Sequence, residues 1–84
     1  MENDPIKSAV KAFILEEFLP GERPEALTDE TALVTEGVLD SLATLRLVSF
    51  LEKEYNVSFA PHEVDAEYLD TLPGITALVR SKLA

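Results

Sequence analysis

Gly37-Val38-Leu39-Asp40-Ser41-Leu42 closes a stretch with no period and opens one with a strong period, and that junction decides the fold. From Asp40 to about Tyr55, Leu47, Val48, Phe50, Leu51 and Tyr55 fall on one wide arc at ~100° per residue. Arg46, Ser49, Glu52 and Lys53 fall on the opposite arc. The spacing predicts an amphipathic helix over about 41–55 with one buried face. Leu42 and Leu45 break the pattern, because they sit within or beside the polar arc, close to Ser41. Two readings account for them: contact with the preceding loop, or contact with a partner protein. Asn56 ends the helix.

Upstream, residues 20–39 hold Pro20, Gly21, Pro24 and Gly37 and the acids Glu22, Glu25, Asp29, Glu30 and Glu36. They read as a long loop with room for a short helical turn. A loop of that length in a small domain is unusual and often functional. Leu27, Leu33, Val34, Val38 and Leu39 are the residues expected to pin it to the core. Before it, Asp4-Pro5 is a helix start, Asp accepting free N–H groups and Pro fitting the first helical position. Ile6, Val10, Phe13, Ile14 and Phe18 recur at three- and four-residue steps, which predicts a helix over about 5–19, stopped by Pro20-Gly21. Phe13, Phe18, Phe50 and Tyr55 all belong to such stripes and read as core.

Downstream, Val57-Ser58-Phe59-Ala60-Pro61 reads as an extended link and Asp65 to Leu69 as one short helical turn. Thr71 is placed to cap a last helix over about 72–83, with Pro73 in its first turn. Ile75, Leu78, Val79 and Leu83 make its buried stripe, and Arg80 and Lys82 suit its C-terminal dipole. The chain therefore reads as one all-α domain over 1–84, a small four-helix bundle of three main helices and one short one, with a long first loop.

Composition narrows the function. At 84 residues, a chain buries only about 60% of the surface it exposes when unfolded, so a deep, dry active site is hard to build. Seven basic residues against 16 acidic ones give a net charge of −9. That field repels phosphate backbones and anionic membranes and favours partners with basic patches. The absence of cysteine removes disulfides and thiolate metal sites and fits a cytoplasmic protein stabilised by packing. Met1-Glu2-Asn3-Asp4-Pro5 lacks the pattern of a signal peptide, and no apolar run approaches the ~20 residues that span a bilayer. A soluble monomer is expected.

The residue with chemistry is Ser41. It stands at the start of the central helix, where unpaired N–H groups and the positive end of the dipole favour an anion. By itself the Asp40-Ser41 pair is also an ordinary cap. Other sites are weaker. His62, Glu63 and Asp65 on a loop do not make up the four good ligands of a structural metal site. No third group orients His62 as a base for Ser41, and there is no Gly-x-Ser-x-Gly elbow, which argues against a hydrolase. The loop acids lack the calcium-loop spacing and its central glycine.

The surroundings of the Asp-Ser pair carry more. Thr31-Ala32-Leu33-Val34-Thr35-Glu36-Gly37-Val38-Leu39-Asp40-Ser41-Leu42, then Leu47-Val48-Ser49-Phe50-Leu51-Glu52-Lys53-Glu54-Tyr55-Asn56-Val57, then Tyr68-Leu69-Asp70-Thr71-Leu72 before an amphipathic helix, resemble the acyl carrier protein family with its peptidyl and aminoacyl carriers. The resemblance covers nearly the whole chain. It implies a freestanding carrier with no catalytic residues, in which Ser41, preceded by the motif residue Asp40, receives 4′-phosphopantetheine from coenzyme A. A separate phosphopantetheinyl transferase using a divalent metal would attach it. The thiol of the arm would hold an acyl, aminoacyl or ketide unit as a thioester, and the phosphodiester would make the net charge more negative than −9.

The further partners implied are an acyl- or aminoacyl-loading ligase or acyltransferase, and a ketosynthase or condensation enzyme. Many fatty-acid carriers bear acids on the exposed face just after the serine, where this chain has Ala43 and Arg46. That departure points away from the housekeeping fatty-acid carrier and toward a polyketide, nonribosomal-peptide or other specialised pathway. Leu42, Leu45, Arg46, Ser49 and Glu52 are then the expected partner-binding residues. The competing reading is a small acidic helical interaction module without a prosthetic group, in which Ser41 is only a cap.

Overall fold

A computed structural model describes residues 4–83. Met1-Glu2-Asn3, which entered the signal-peptide reading, lies outside the described residues, as does Ala84. Four helices run in chain order: α1 (Pro5–Phe18), α2 (Ser41–Tyr55), α3 (Ala66–Leu69) and α4 (Leu72–Leu83). Two 3₁₀ turns, Pro24–Ala26 and Pro61–Glu63, lie in the connections, and the described residues contain no strand.

The helix ends follow from the side chains at them. Asp4 caps α1, its Oδ1 accepting the N–H groups of Ile6 at 3.0 Å and Lys7 at 3.4 Å, and Pro5 takes the first helical position. Thr71 caps α4 by accepting the N–H of Gly74 at 3.1 Å. Asn56 ends α2 in the left-handed region (φ 57°), which asparagine tolerates better than most residues. Gly74 permits a close approach: a Cβ there would stand 3.0 Å from the carbonyl oxygen of Tyr68, so α3 meets the first turn of α4 at short range.

α1 packs on α4 and α2, and α4 packs also on α2 and α3. The centre of the core is Val10 and Ile14 of α1, Leu47 and Leu51 of α2, Leu69 of α3, and Ile75 and Val79 of α4, all almost fully buried. The long loop contributes as much. Leu27, Leu33 and Leu39 are fully buried, while Val34 and Val38 pack half-buried against the core. Each buried leucine contributes about 1.5–3 kcal/mol by leaving water, which fastens a segment with little helix of its own. Phe13 stacks on Phe50 with ring centroids 4.2 Å apart and meets Phe18 edge-on at 5.7 Å. These rings and Tyr55 are half-buried flanks of the core rather than its centre.

Five expectations change. Residues 61–63 form a 3₁₀ turn, so the extended link ends at Ala60, where the Ala60 N–H donates to Glu63 Oε1 at 2.8 Å. The short helix covers 66–69 rather than 65–69, with Asp65 as its cap residue, and α1 ends at Phe18 rather than 19. Leu83 is 49% exposed, because it lies one turn past Val79 at the end of α4. Ala43 is buried, not on the exposed face of α2: it stands one turn before Leu47 and two before Phe50 and Leu51, on the core stripe.

Candidate functional site

The start of α2 is built by the loop before it. Gly37 takes φ +87°, which only glycine adopts without strain, and with it the chain turns back on itself. The N–H of Gly37 donates to the Val34 carbonyl at 3.1 Å, that of Glu36 to Ala32 at 2.7 Å, and that of Leu39 to Leu33 at 2.9 Å. Residues 33–39 are thus a small closed ring. Its exit delivers the chain to Asp40 in extended conformation, whose Oδ1 accepts the Ala43 N–H at 2.8 Å and whose carbonyl accepts the Thr44 N–H at 2.8 Å. The N–H groups of Ser41 and Leu42 have no partner among the described residues.

Ser41 is the first residue of α2 and is exposed. Its side chain makes no hydrogen bond among the described residues. It borders a cleft of about 400 Å³ whose loop wall includes Val34 and Leu39 and whose far wall includes Val64, Ala66 and Leu69. Thr44 and Leu45 of α2 also line it. Ser41 is therefore exposed at a helix start with two unpaired N–H groups, beside an opening lined mainly by apolar side chains and also by Asp40 and Asp65. Such a point accommodates a negatively charged substituent and an apolar group attached to it.

The ring is held from across the molecule by Asp70, which links α3 to α4. Its main-chain carbonyl accepts the Leu33 N–H at 2.6 Å. Its Oδ1 accepts the N–H groups of Val34 at 2.8 Å and Thr35 at 3.0 Å, and its Oδ2 accepts the Thr35 hydroxyl at 2.9 Å. The bond from Thr35 N–H, with those from its hydroxyl and from Val34, holds the Asp70 carboxyl below the usual aspartate range. Sequence reasoning passed over Asp70. Its place in Tyr68-Leu69-Asp70-Thr71-Leu72 was visible, but its partners lie 35 and 36 positions away.

The other expected partner-binding residues lie along α2. Leu42 and Leu45 are 68% and 57% exposed, so the loop does not cover them. Arg46 is exposed, pairs with Glu17 of α1 at 2.7 Å, and stands over the ring of Phe18 at 5.8 Å. Ser49 is exposed and borders a groove between α1 and α2 together with Leu45, Arg46, Phe13 and Phe50. Glu52 is turned inward instead: its Oε2 accepts the Phe59 N–H at 2.9 Å and fastens the chain that follows α2. That bond occupies part of a carboxylate which the helical wheel places on an open polar arc.

His62 is exposed on the 3₁₀ turn. Glu63 pairs with Lys82 at 2.6 Å, so it serves the junction between that turn and α4. Among the described residues no group of three or more His, Cys, Asp or Glu side chains is arranged to hold a metal ion, and no helix is long and apolar enough to cross a membrane.

No protein-family model matches the chain, and none of the curated proteins matches it in sequence.

Proposed function

We propose that the protein is a carrier domain of the acyl carrier protein type, modified on Ser41 with 4′-phosphopantetheine. The observation that carries the reading is the exposed, unbonded Ser41 hydroxyl at the first position of α2, at the rim of a partly apolar cleft. An attachment point must be open to a modifying enzyme, and a serine serving only as a cap would spend its oxygen on a helix N–H. Here the capping oxygen comes from Asp40. Phosphopantetheine would bring a phosphodiester charge, which the unpaired N–H groups of Ser41 and Leu42 favour, and a thiol that carries cargo as a thioester.

On this reading the chain supplies the anchor, the cleft and a docking face, and partner enzymes supply the chemistry. The docking face is Leu42, Leu45, Arg46 and Ser49, with Glu52 contributing only through what its bond to Phe59 leaves open. Its partners are the transferase, a loading ligase or acyltransferase, and a ketosynthase or condensation enzyme. The non-acidic start of α2 favours a polyketide, nonribosomal-peptide or other specialised pathway, working in the cytoplasm. Since Ala43 is buried, Arg46 alone carries that argument.

The test is an intact mass after incubation with coenzyme A, Mg²⁺ and a broad-specificity phosphopantetheinyl transferase. One added phosphopantetheine, absent from Ser41→Ala, supports the carrier. No addition with a transferase that modifies a control carrier favours an interaction module without a prosthetic group.

A further inference from the structure

We infer that Asp70 is a positioning residue for Ser41: it clamps residues 33–35 to the corner between α3 and α4 and so fixes the ring that presents Ser41 and one wall of the cleft beside it. The inference rests on the carrier reading for its functional half and on geometry for its structural half.

Asp70 receives four hydrogen bonds from three successive residues of the loop, three of them on its carboxylate. None of its side-chain capacity serves the neighbouring helix, because Thr71 caps α4. Because the acceptor is a carboxylate, its three bonds are charge-assisted and stronger than bonds between neutral groups.

The path from Asp70 to the hydroxyl is short. Asp70 fixes Leu33, the Leu33 carbonyl accepts the N–H of Leu39, and Leu39 is followed at once by Asp40 and Ser41. The same clamp joins the two walls of the cleft, since Val34 lies on one and Leu69, next to Asp70, on the other. Buried Leu33 and Leu39 hold the ring to the core but do not orient Val34 and Thr35, whose N–H groups meet only Asp70 among the described residues. Loss of the carboxylate therefore leaves a folded bundle in which the ring samples other positions. A transferase that needs one of them then sees a smaller competent fraction, which raises KM and spares kcat.

The experiment compares wild type, Asp70→Ala and Asp70→Asn in two readouts, amide hydrogen exchange and steady-state phosphopantetheinylation of the apo-protein. In Asp70→Ala the Val34 and Thr35 amides exchange about tenfold faster or more, while core amides of α1 and α4 keep their protection. KM for the protein rises about tenfold and kcat changes by less than about twofold. Asp70→Asn, whose side-chain oxygen still accepts both N–H groups, returns KM to within about threefold of wild type. If Asp70→Ala does not fold, Thr35→Val, which removes only the hydroxyl donor, takes its place with a rise of about threefold. Unchanged exchange at Val34 and Thr35, or an unchanged KM, overturns the inference. So does an equal rise in Asp70→Ala and Asp70→Asn, which would make charge rather than geometry the cause. A wild type that the transferase leaves unmodified overturns the carrier reading instead, and the exchange data then decide the clamp alone.

Discussion

Asp70 holds Thr35 twice, one carboxylate oxygen accepting its N–H at 3.0 Å and the other its hydroxyl at 2.9 Å. Two residues 35 positions apart in the chain thereby behave as a single corner, and the loop that leads to Ser41 is built on it.

That corner depends on pH in a definite direction. Asp70 is held below its ordinary value of 3.8, chiefly by the Thr35 N–H. A depressed carboxyl contributes stability that is present above the unfolded value and is lost as pH falls through the lower folded value. Wild type is expected to be more stable than Asp70→Asn at pH 7, with the difference shrinking as pH drops below about 4. Thermal unfolding followed by circular dichroism across pH 7 to 2.5 checks this, and a constant difference would contradict it. Asp4, lowered mainly by Arg80, and Glu63, lowered mainly by Lys82, act in the same direction and are common to both proteins.

Three leucines near the site separate packing from recognition. Leu33 is fully buried, so Leu33→Ala is expected to cost about 2–5 kcal/mol in denaturant unfolding. Leu42→Ala and Leu45→Ala remove exposed side chains and are expected to stay within about 0.5 kcal/mol of wild type. Both are expected to slow loading by the cognate enzyme. A large loss of stability in either exposed variant would show that the loop covers it in solution.

Arg46 spans the surface between α2 and α1 by its pair with Glu17. Arg46→Glu places two like charges there and gives up the contact with Phe18, yet the site is open, so the cost in stability is expected to be about 1 kcal/mol or less. The change in recognition is expected to be larger: altered loading kinetics with helical circular dichroism preserved. Unchanged kinetics would remove Arg46 from the docking face, and lost helicity would make it structural.

Much of this fold is written locally. The apolar spacing of Leu47, Val48 and Leu51, and of Ile75, Leu78 and Val79, sets which face of α2 and of α4 is buried, and Asp4, Asp40, Thr71 and Asn56 mark helix ends by their own chemistry. Ser41 was legible for the same reason, since its exposure follows from being first in a helix after a turn at Gly37. What was not legible depends on topology. Asp70 looks like any acid before a cap until the chain brings residues 33–35 beside it. Glu52 belongs to the polar arc of a helical wheel and is drawn inward only because the chain after Asn56 doubles back to Phe59. Ala43 was readable, lying in line with Leu47, but its small side chain gave the apolar pattern little weight.

The central claim is that one hydroxyl, that of Ser41, accepts a phosphopantetheine arm. The most direct measurement is fragmentation mass spectrometry of the transferase-treated protein, locating the added group along the chain. The account predicts a single phosphopantetheine on Ser41, released as a fragment from the peptide that holds Asp40-Ser41-Leu42. A protein that stays unmodified beside a modified control carrier, or that carries the group on any other residue, would contradict it.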